Sequence, residues 1–241
     1  MKDDLGEVLS IKQLVYNRLK ARIISGELKP GSRLLEAELA EQMNISRAPI
    51  REAFNMLEKD GFTKIIPRRG AIVAEITEED IFAIWEFRLL LEPYAAQKTY
   101  KMMTDEELNK MKAKIDYVKE HPEDFDAYMS SDLEVHDLLC KYLDNPFMMA
   151  TLENVKAHSL RIRWEDEYSD EGHRLPETSV AVNSEHHAII DALMAKDETQ
   201  IKRAVINHVL NSTHRIMKAC NMEFTDEQKA RIAYFEAEVQ K

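Results

Sequence analysis

Asp132 and His136 stand four residues apart in Asp132-Leu133-Glu134-Val135-His136. On a helix, that spacing puts a carboxylate and an imidazole on one face, within reach of a single cation. Two more histidines lie on apolar helical stretches, His186 near Ile189, Ile190 and Leu193, and His208 among Val205, Val209 and Leu210. They are separated by a turn expected at Lys196-Asp197, and an antiparallel helix pair can bring both to one level of a bundle. One carboxylate and three imidazoles form a donor set for a divalent transition ion, with Zn, Ni, Fe and Mn all suitable. Taken singly, each residue is a weak signal, because a histidine on an apolar face is more often a hydrogen-bonded core residue. Only the set points to an ion. Four protein ligands leave positions open on a six-coordinate ion, which water fills and a small carboxylate can take over. Arg88, Arg161 and Arg163 are candidates to meet the rest of such an anionic effector. For Arg88, a structural ion pair with Glu92 at i,i+4 is the alternative. His187 is turned about 100° from His186 and points elsewhere; His158 and His214 are not counted as ligands.

A second chemistry sits near the other end. Arg47 and Arg51 share a helix face opposite the stripe of Ile50, Phe54 and Leu57. Arginine donates two parallel hydrogen bonds to guanine O6 and N7, and the start of a second helix in a helix-turn-helix reaches base edges in the major groove. Arg68 and Arg69 stand in Pro67-Arg68-Arg69-Gly70, where a hairpin tip would meet the minor groove or phosphates. Ser46 and the neighbouring backbone N–H groups can hold a phosphate at the helix N-terminus. Any one of these arginines could be ordinary solvated surface, but four at the two places where a winged helix touches DNA argue against that.

The elements that must position these groups read clearly. Helices are expected at about 11–25, 36–43 and 47–60, the last with Ser46 as N-cap and Gly61 as its end. Two β-like runs follow, 62–66 and 71–76, with Gly70 supplying positive φ at their turn. Three helices and a hairpin make a winged helix-turn-helix. From Thr77 onward no strand signal appears. Helices are expected from about 77, 104, 124, 146, 177, 198 and 225, broken at His121-Pro122, Asp144-Asn145-Pro146 and Lys196-Asp197. The chain therefore reads as mainly α. Residues 1–76 form the DNA-binding domain, 77–224 an all-α bundle that binds effector and metal, and 225–241 a C-terminal helix with Ile232, Phe235 and Val239 on one side.

Composition fits that division. The 241 residues carry a net charge of −11, which at first argues against nucleic acid. Residues 1–77, however, hold 13 Lys+Arg against 11 Asp+Glu, and the acidity belongs to the remainder. Two cysteines cannot build a disulfide framework, and a reducing cytoplasm is expected. No secretory signal or membrane span is seen.

Several motifs together resemble the GntR family of regulators: residues 26–34 (Gly-Glu-Leu-Lys-Pro-Gly-Ser-Arg-Leu), then Glu38-Leu39-Ala40, residues 46–53 (Ser-Arg-Ala-Pro-Ile-Arg-Glu-Ala) and Leu57-Glu58-Lys59-Asp60-Gly61. The resemblance implies that Arg47, Arg51, Arg69 and Gly70 contact DNA and that a homodimer binds a short palindromic operator. Ala37 departs from the fatty-acid-responsive branch, which has a DNA-reading arginine there. The C-terminal part is similar to the FCD ligand-binding domain, through Arg88-Leu89-Leu90-Leu91-Glu92, Ala95-Ala96, Asp132 with His136, Asp144-Asn145-Pro146, residues 185–189 and His208. In metal-binding members, the positions matching Asp132, His136, His186 and His208 ligate a divalent ion, and an organic acid commonly completes the coordination. The expected protein is a transcription regulator, a repressor, and not an enzyme. Two rivals remain: the same regulator with a purely structural metal, and a metal-dependent enzyme with Glu185 or Glu134 as base. The second leaves the winged helix unexplained.

Overall fold

The computed structural model describes residues 9–167, 176–219 and 221–240. The chain divides into two compact units. One comprises residues 1–77 with 160–165, and the other 78–159 with 166–241.

In the first unit, α1 (Ile11–Ile24), α2 (Glu36–Met43) and α3 (Arg47–Lys59) precede strands β2 (Thr63–Ile66) and β3 (Gly70–Val73). Ser10 caps α1, accepting from the Gln13 N–H. Asn44 ends α2 in the left-handed conformation at φ 53, which asparagine tolerates better than most residues. Gly61 follows α3 at φ 83. The α3 stripe buries Ile50, Ala53, Phe54 and Leu57 against Val15, Leu19 and Ile23 of α1. Each such large side chain contributes about 1.5–3 kcal/mol by leaving water. One strand was not expected: β1 (Arg33–Leu34) joins the sheet, giving the order β1-β3-β2, all antiparallel. Two residues carry no readable alternation, so sequence periodicity could not reveal it. Its presence explains Gly70. That residue has φ 89, and a Cβ there would lie 2.2 Å from the Leu34 carbonyl oxygen.

The second unit is helical throughout its described residues. Its elements are α4 (Glu78–Thr99), a 3₁₀ turn (Tyr100–Met102), α5 (Asp105–Glu120), α6 (Phe125–Cys140), α7 (Pro146–Glu167, of which residues 160–165 belong to the first unit), α8 (Pro176–Ala195), α9 (Glu198–Ala219) and α10 (Asp226–Gln240). Their ends have local causes. Thr104 and Glu107 form a reciprocal capping box on α5. The Asn145 side chain accepts from the N–H groups of Phe147 and Met148, with Pro146 opening α7. Lys196 turns left-handed after α8, and Asp197 accepts from Gln200 N–H to start α9. α4 runs through Pro93, which forgoes one helical hydrogen bond. The core joins Ala95 and Ala96 of α4, Leu108 and Ile115 of α5, Val135 and Leu139 of α6, Ile189 and Leu193 of α8, and Ile201 and Val205 of α9. α10 packs on α9 through buried Ile232 and Phe235, while Val239 is only half-buried. Among the described residues, no helix is long and apolar enough to cross a membrane.

Candidate functional site

In the helical unit, α6 presents Asp132 and His136, α8 presents His186 and α9 presents His208. The ligating nitrogens of the three histidines all lie within 4.8 Å of one another. His136 Nε2 is 3.3 Å from His208 Nε2, and Asp132 Oδ1 is 3.5 Å from His186 Nε2. Asp132 and His208 are 0% exposed and His186 1%. A carboxylate and two imidazoles fully removed from water need strong compensation.

Each of two rings is held from behind by a carboxylate. His208 Nδ1 lies 2.9 Å from Glu185 Oε2, and His136 Nδ1 lies 2.9 Å from Glu92 Oε2. A carboxylate only accepts, so each ring donates from Nδ1 and leaves Nε2 as its lone-pair nitrogen. Two lone pairs facing across 3.3 Å repel unless a cation lies between or beside them. Arg88 answers part of this demand, with Nη2 placed to donate to His136 Nε2 at 3.1 Å. Nitrogens bound to one ion at about 2.1 Å lie roughly 3–3.5 Å apart, so the His136–His208 pair already has a suitable separation. By donor chemistry and spacing, the residues fit a borderline divalent ion.

The carboxylates are themselves secured. Arg88 Nε donates to Glu92 Oε1 at 2.6 Å, and Arg215 bonds both oxygens of Glu185 at 2.7 and 2.9 Å. Burial pushes the Glu92 carboxyl up, but the charge of Arg88 and the hydrogen bonds from Arg88 and His136 outweigh it and hold Glu92 ionised. Burial likewise opposes ionisation of Glu185, yet Arg215 and His208 bring it down to about 2. For His208, burial lowers the pKa to about 4 against the pull of Glu185, so the ring is neutral and ligand-ready at neutral pH. Beside His136, a small cavity of about 40 Å³ is lined by Glu92, Cys140, Met149, Leu152 and Lys156, among others.

Arg88 therefore forms the i,i+4 pair with Glu92, and it also reaches His136. Arg161 is buried, belongs to the 160–165 stretch of the first unit, and donates to the Ala74 carbonyl. The Arg163 side chain lies outside the described residues. His187 turns to Asp116 at 3.4 Å, and His214 to the Leu210 carbonyl at 2.8 Å. Sequence reasoning did not find Glu92, Glu185 and Arg215 as supports of the histidines. The available signal was a carboxylate set in a buried stripe, as Glu92 is between Leu89 and Ala96. Neither carboxylate named as a possible base stands free: Glu185 serves His208, Asn211 and Arg215, and Glu134 pairs with Lys114 and Ser130.

In the N-terminal unit, Arg47, Arg51, Arg68 and Arg69 are all exposed. Arg51 is not idle: its Nε and Nη2 bond both oxygens of Glu36 on α2, at 3.0 and 2.7 Å. Arg68 at the wing tip adopts φ 63, an uncommon conformation for a long side chain. Ser46 occupies the N-cap position of α3 in extended backbone, but its hydroxyl makes no capping bond, contrary to the expected cap.

A wing and an exposed arginine-bearing helix, joined in one chain to a helical bundle with a buried histidine cluster, fit a DNA-binding regulator with a second, all-helical unit. Residues 11–73 match the gntR family of bacterial regulatory proteins, and residues 83–211 match the FCD domain. The HTH-type transcriptional regulator YdhC of Bacillus subtilis is 30% identical over 199 residues, spanning 80% of this chain and 85% of that protein. The gluconate operon transcriptional repressor of the same bacterium is 28% identical over 197 residues, 76% of this chain and 75% of its own. Escherichia coli McbR/YncC shares the fold with a TM-score of 0.71 at 21% identity, covering 87% of this chain and 98% of that one. The chain belongs to the gntR family of bacterial regulatory proteins and carries an FCD domain; it is a transcription regulator, not an enzyme.

Proposed function

We propose that this regulator is a homodimeric repressor whose grip on a palindromic operator is set by a small organic acid bound at a divalent transition ion in the FCD domain. The observation that carries this reading is the convergence of His136, His186 and His208 beside Asp132, with carboxylates bracing two of the rings. Asp132, His136, His186 and His208 would hold the ion, and Arg88 would face the anion. When bound, the ion supplies positive charge and open coordination positions for a carboxylate. The protein's part is to keep His208 neutral by burial and to fix the orientation of His136 and His208 through Glu92 and Glu185. In the DNA-binding unit, Arg47 and Arg51 read base edges, Arg68 and Arg69 meet the minor groove or phosphates, and Ser46 with its backbone neighbours meets a phosphate. The place of Gly70 in this is steric: it lets the wing close against β1. That one relative represses a gluconate operon makes sugar acids and other hydroxy acids the first effectors to try.

An effector changes operator affinity only if it binds the DNA-competent and incompetent arrangements unequally. Fluorescence anisotropy on the promoter next to the gene tests this, with the acids added to metal-loaded and chelator-treated protein. The expected result is a shift in operator Kd of about 5–150-fold with the right acid, seen only when metal is present. If every acid shifts Kd less than twofold, the effector reading fails. If the shift is independent of metal, the ion is structural.

A further inference from the structure

Of the two arginines on the exposed face of α3, Arg51 is held in place, and an acid holds it. Its Nε and Nη2 donate to the two carboxylate oxygens of Glu36, at 3.0 and 2.7 Å. Glu36 is the first residue of α2, where the helix dipole favours a negative charge. Its side chain is 23% exposed against 64% for Arg51, so the shorter, better-buried partner anchors the longer one. Arg47 acts on the same carboxylate. Hydrogen bonding from Arg51, with the charges of Arg51 and Arg47, holds Glu36 below the usual carboxylate range against the opposing effect of its partial burial. One acid therefore serves both arginines of the reading face.

Folding does not account for this arrangement, because an exposed ion pair contributes little to stability. On a face that meets DNA, a carboxylate also repels phosphates and weakens attraction to any duplex. What it can supply is direction. A guanidinium carries its N–H groups on a planar fork. Glu36 occupies the edge made by Nε and Nη2. The edge made by Nη1 and Nη2 is left for a base, and it carries two parallel N–H groups that match guanine O6 and N7. A tethered fork loses less freedom on binding than a loose one and presents its donors in one orientation. Specificity is a difference of affinities, and Glu36 acts on both sides of it.

We infer that Glu36 is a specificity-determining residue of the DNA-binding unit: it positions Arg51 to read a base, and its charge suppresses binding to unrelated duplex. The inference rests on the reading of Arg51 given above.

Selection from a library of duplexes with a randomised centre tests it in the full chain. The proteins are the native chain, Glu36→Ala, Glu36→Gln, Arg51→Ala and the Glu36→Ala, Arg51→Ala double variant. The pair lies at the surface, so all are expected to keep the native circular dichroism. Native protein is expected to select guanine at a position where Arg51→Ala selects none, with a preference over the other bases of about 5–150-fold. Glu36→Ala should cut that preference by at least about threefold at the same position. It should also tighten binding to a scrambled duplex by about twofold or more. Glu36→Gln, which keeps one acceptor oxygen, should fall between. In the Arg51→Ala background, Glu36→Ala should leave the base preferences unchanged. Glu52→Gln is the control: it removes a charge paired with Lys12 instead and should leave the preference intact. If Arg51→Ala loses the position and Glu36→Ala keeps it in full, the reading of Arg51 stands and this inference falls. If Glu36→Ala erases a cytosine at another position instead, Glu36 reads that base directly and the inference also falls. If Arg51→Ala changes no position, both fall.

Discussion

Glu185→Ala removes the acceptor that steadies His208 from behind. In the native chain, the Glu185 carboxylate takes hydrogen bonds from His208 at 2.9 Å, Asn211 at 2.9 Å and Arg215 at 2.7 and 2.9 Å. Its side chain is only 12% exposed, so these bonds are little screened by water. Two effects follow. The buried His208 Nδ1–H loses its acceptor, and leaving such a donor unmet costs about 1–3 kcal/mol of stability. The ring also loses the partner that fixes its tautomer, orientation and basicity, and substitutions behind a metal-bound histidine typically cost 10–100-fold in metal affinity. Glu185→Gln keeps an acceptor oxygen for His208 but gives up the charge, so it is expected near the lower end, about tenfold. The assay is competition with a chromophoric chelator for zinc, run beside thermal unfolding of the apo chains. Glu134→Gln is the control, because Glu134 is tied to Lys114 and Ser130 and to none of the histidines. The reasoning is refuted if Glu185→Ala is destabilised as expected yet binds zinc within twofold of the native chain. Glu185 would then be a structural acceptor and nothing more.

Three further outcomes are expected. Arg51→Ala should fold normally, because the side chain is 64% exposed, and should lose about 1–3 kcal/mol of operator binding in gel shifts, with relaxed preference at one base position. Gly70→Ala should lower the thermal midpoint of the DNA-binding unit by at least about 4–8 °C, since it forces a strained φ and a Cβ into the Leu34 carbonyl. Glu107 is held down to about 2, first by Lys141 and then by Thr104 and Tyr142, so its contribution is fully present above its ordinary value near 4.5 and is lost as pH falls toward 2. Acid unfolding followed by circular dichroism should therefore be less steep over that range in Glu107→Gln, and an unchanged acid limb would contradict this.

Where a single side chain sets the local structure, the sequence was enough. Asn44 and Gly61 announce helix ends because few residues tolerate their backbone angles, and the Thr104–Glu107 box and Asn145-Pro146 announce starts. The Ile50, Ala53, Phe54, Leu57 stripe follows from helical period alone, and it leaves Arg47 and Arg51 outward by geometry. β1 was invisible because two residues have no period and their pairing with β3 is long-range. The same limit applied at the candidate site. Asp132 and His136 could be joined by spacing on one helix, and the antiparallel turn at Lys196-Asp197 allowed His186 and His208 to meet. Nothing in local pattern ties Glu92 to His136, or Arg215 to the carboxylate behind His208, because those contacts depend on how helices cross. Arg51 shows the same gap: its exposure was legible, but its bidentate pairing with Glu36 on another helix was not.

Elemental analysis of the chain purified without added metal, beside His136→Ala and His208→Ala, bears most directly on the ion. Native protein is expected to carry, or take up on dialysis, about one divalent transition ion per chain, and both variants are expected to lose it while remaining folded. A native chain that holds none, and takes none from micromolar zinc, nickel or manganese, would mean that the three imidazoles and Asp132 are a hydrogen-bonded core cluster.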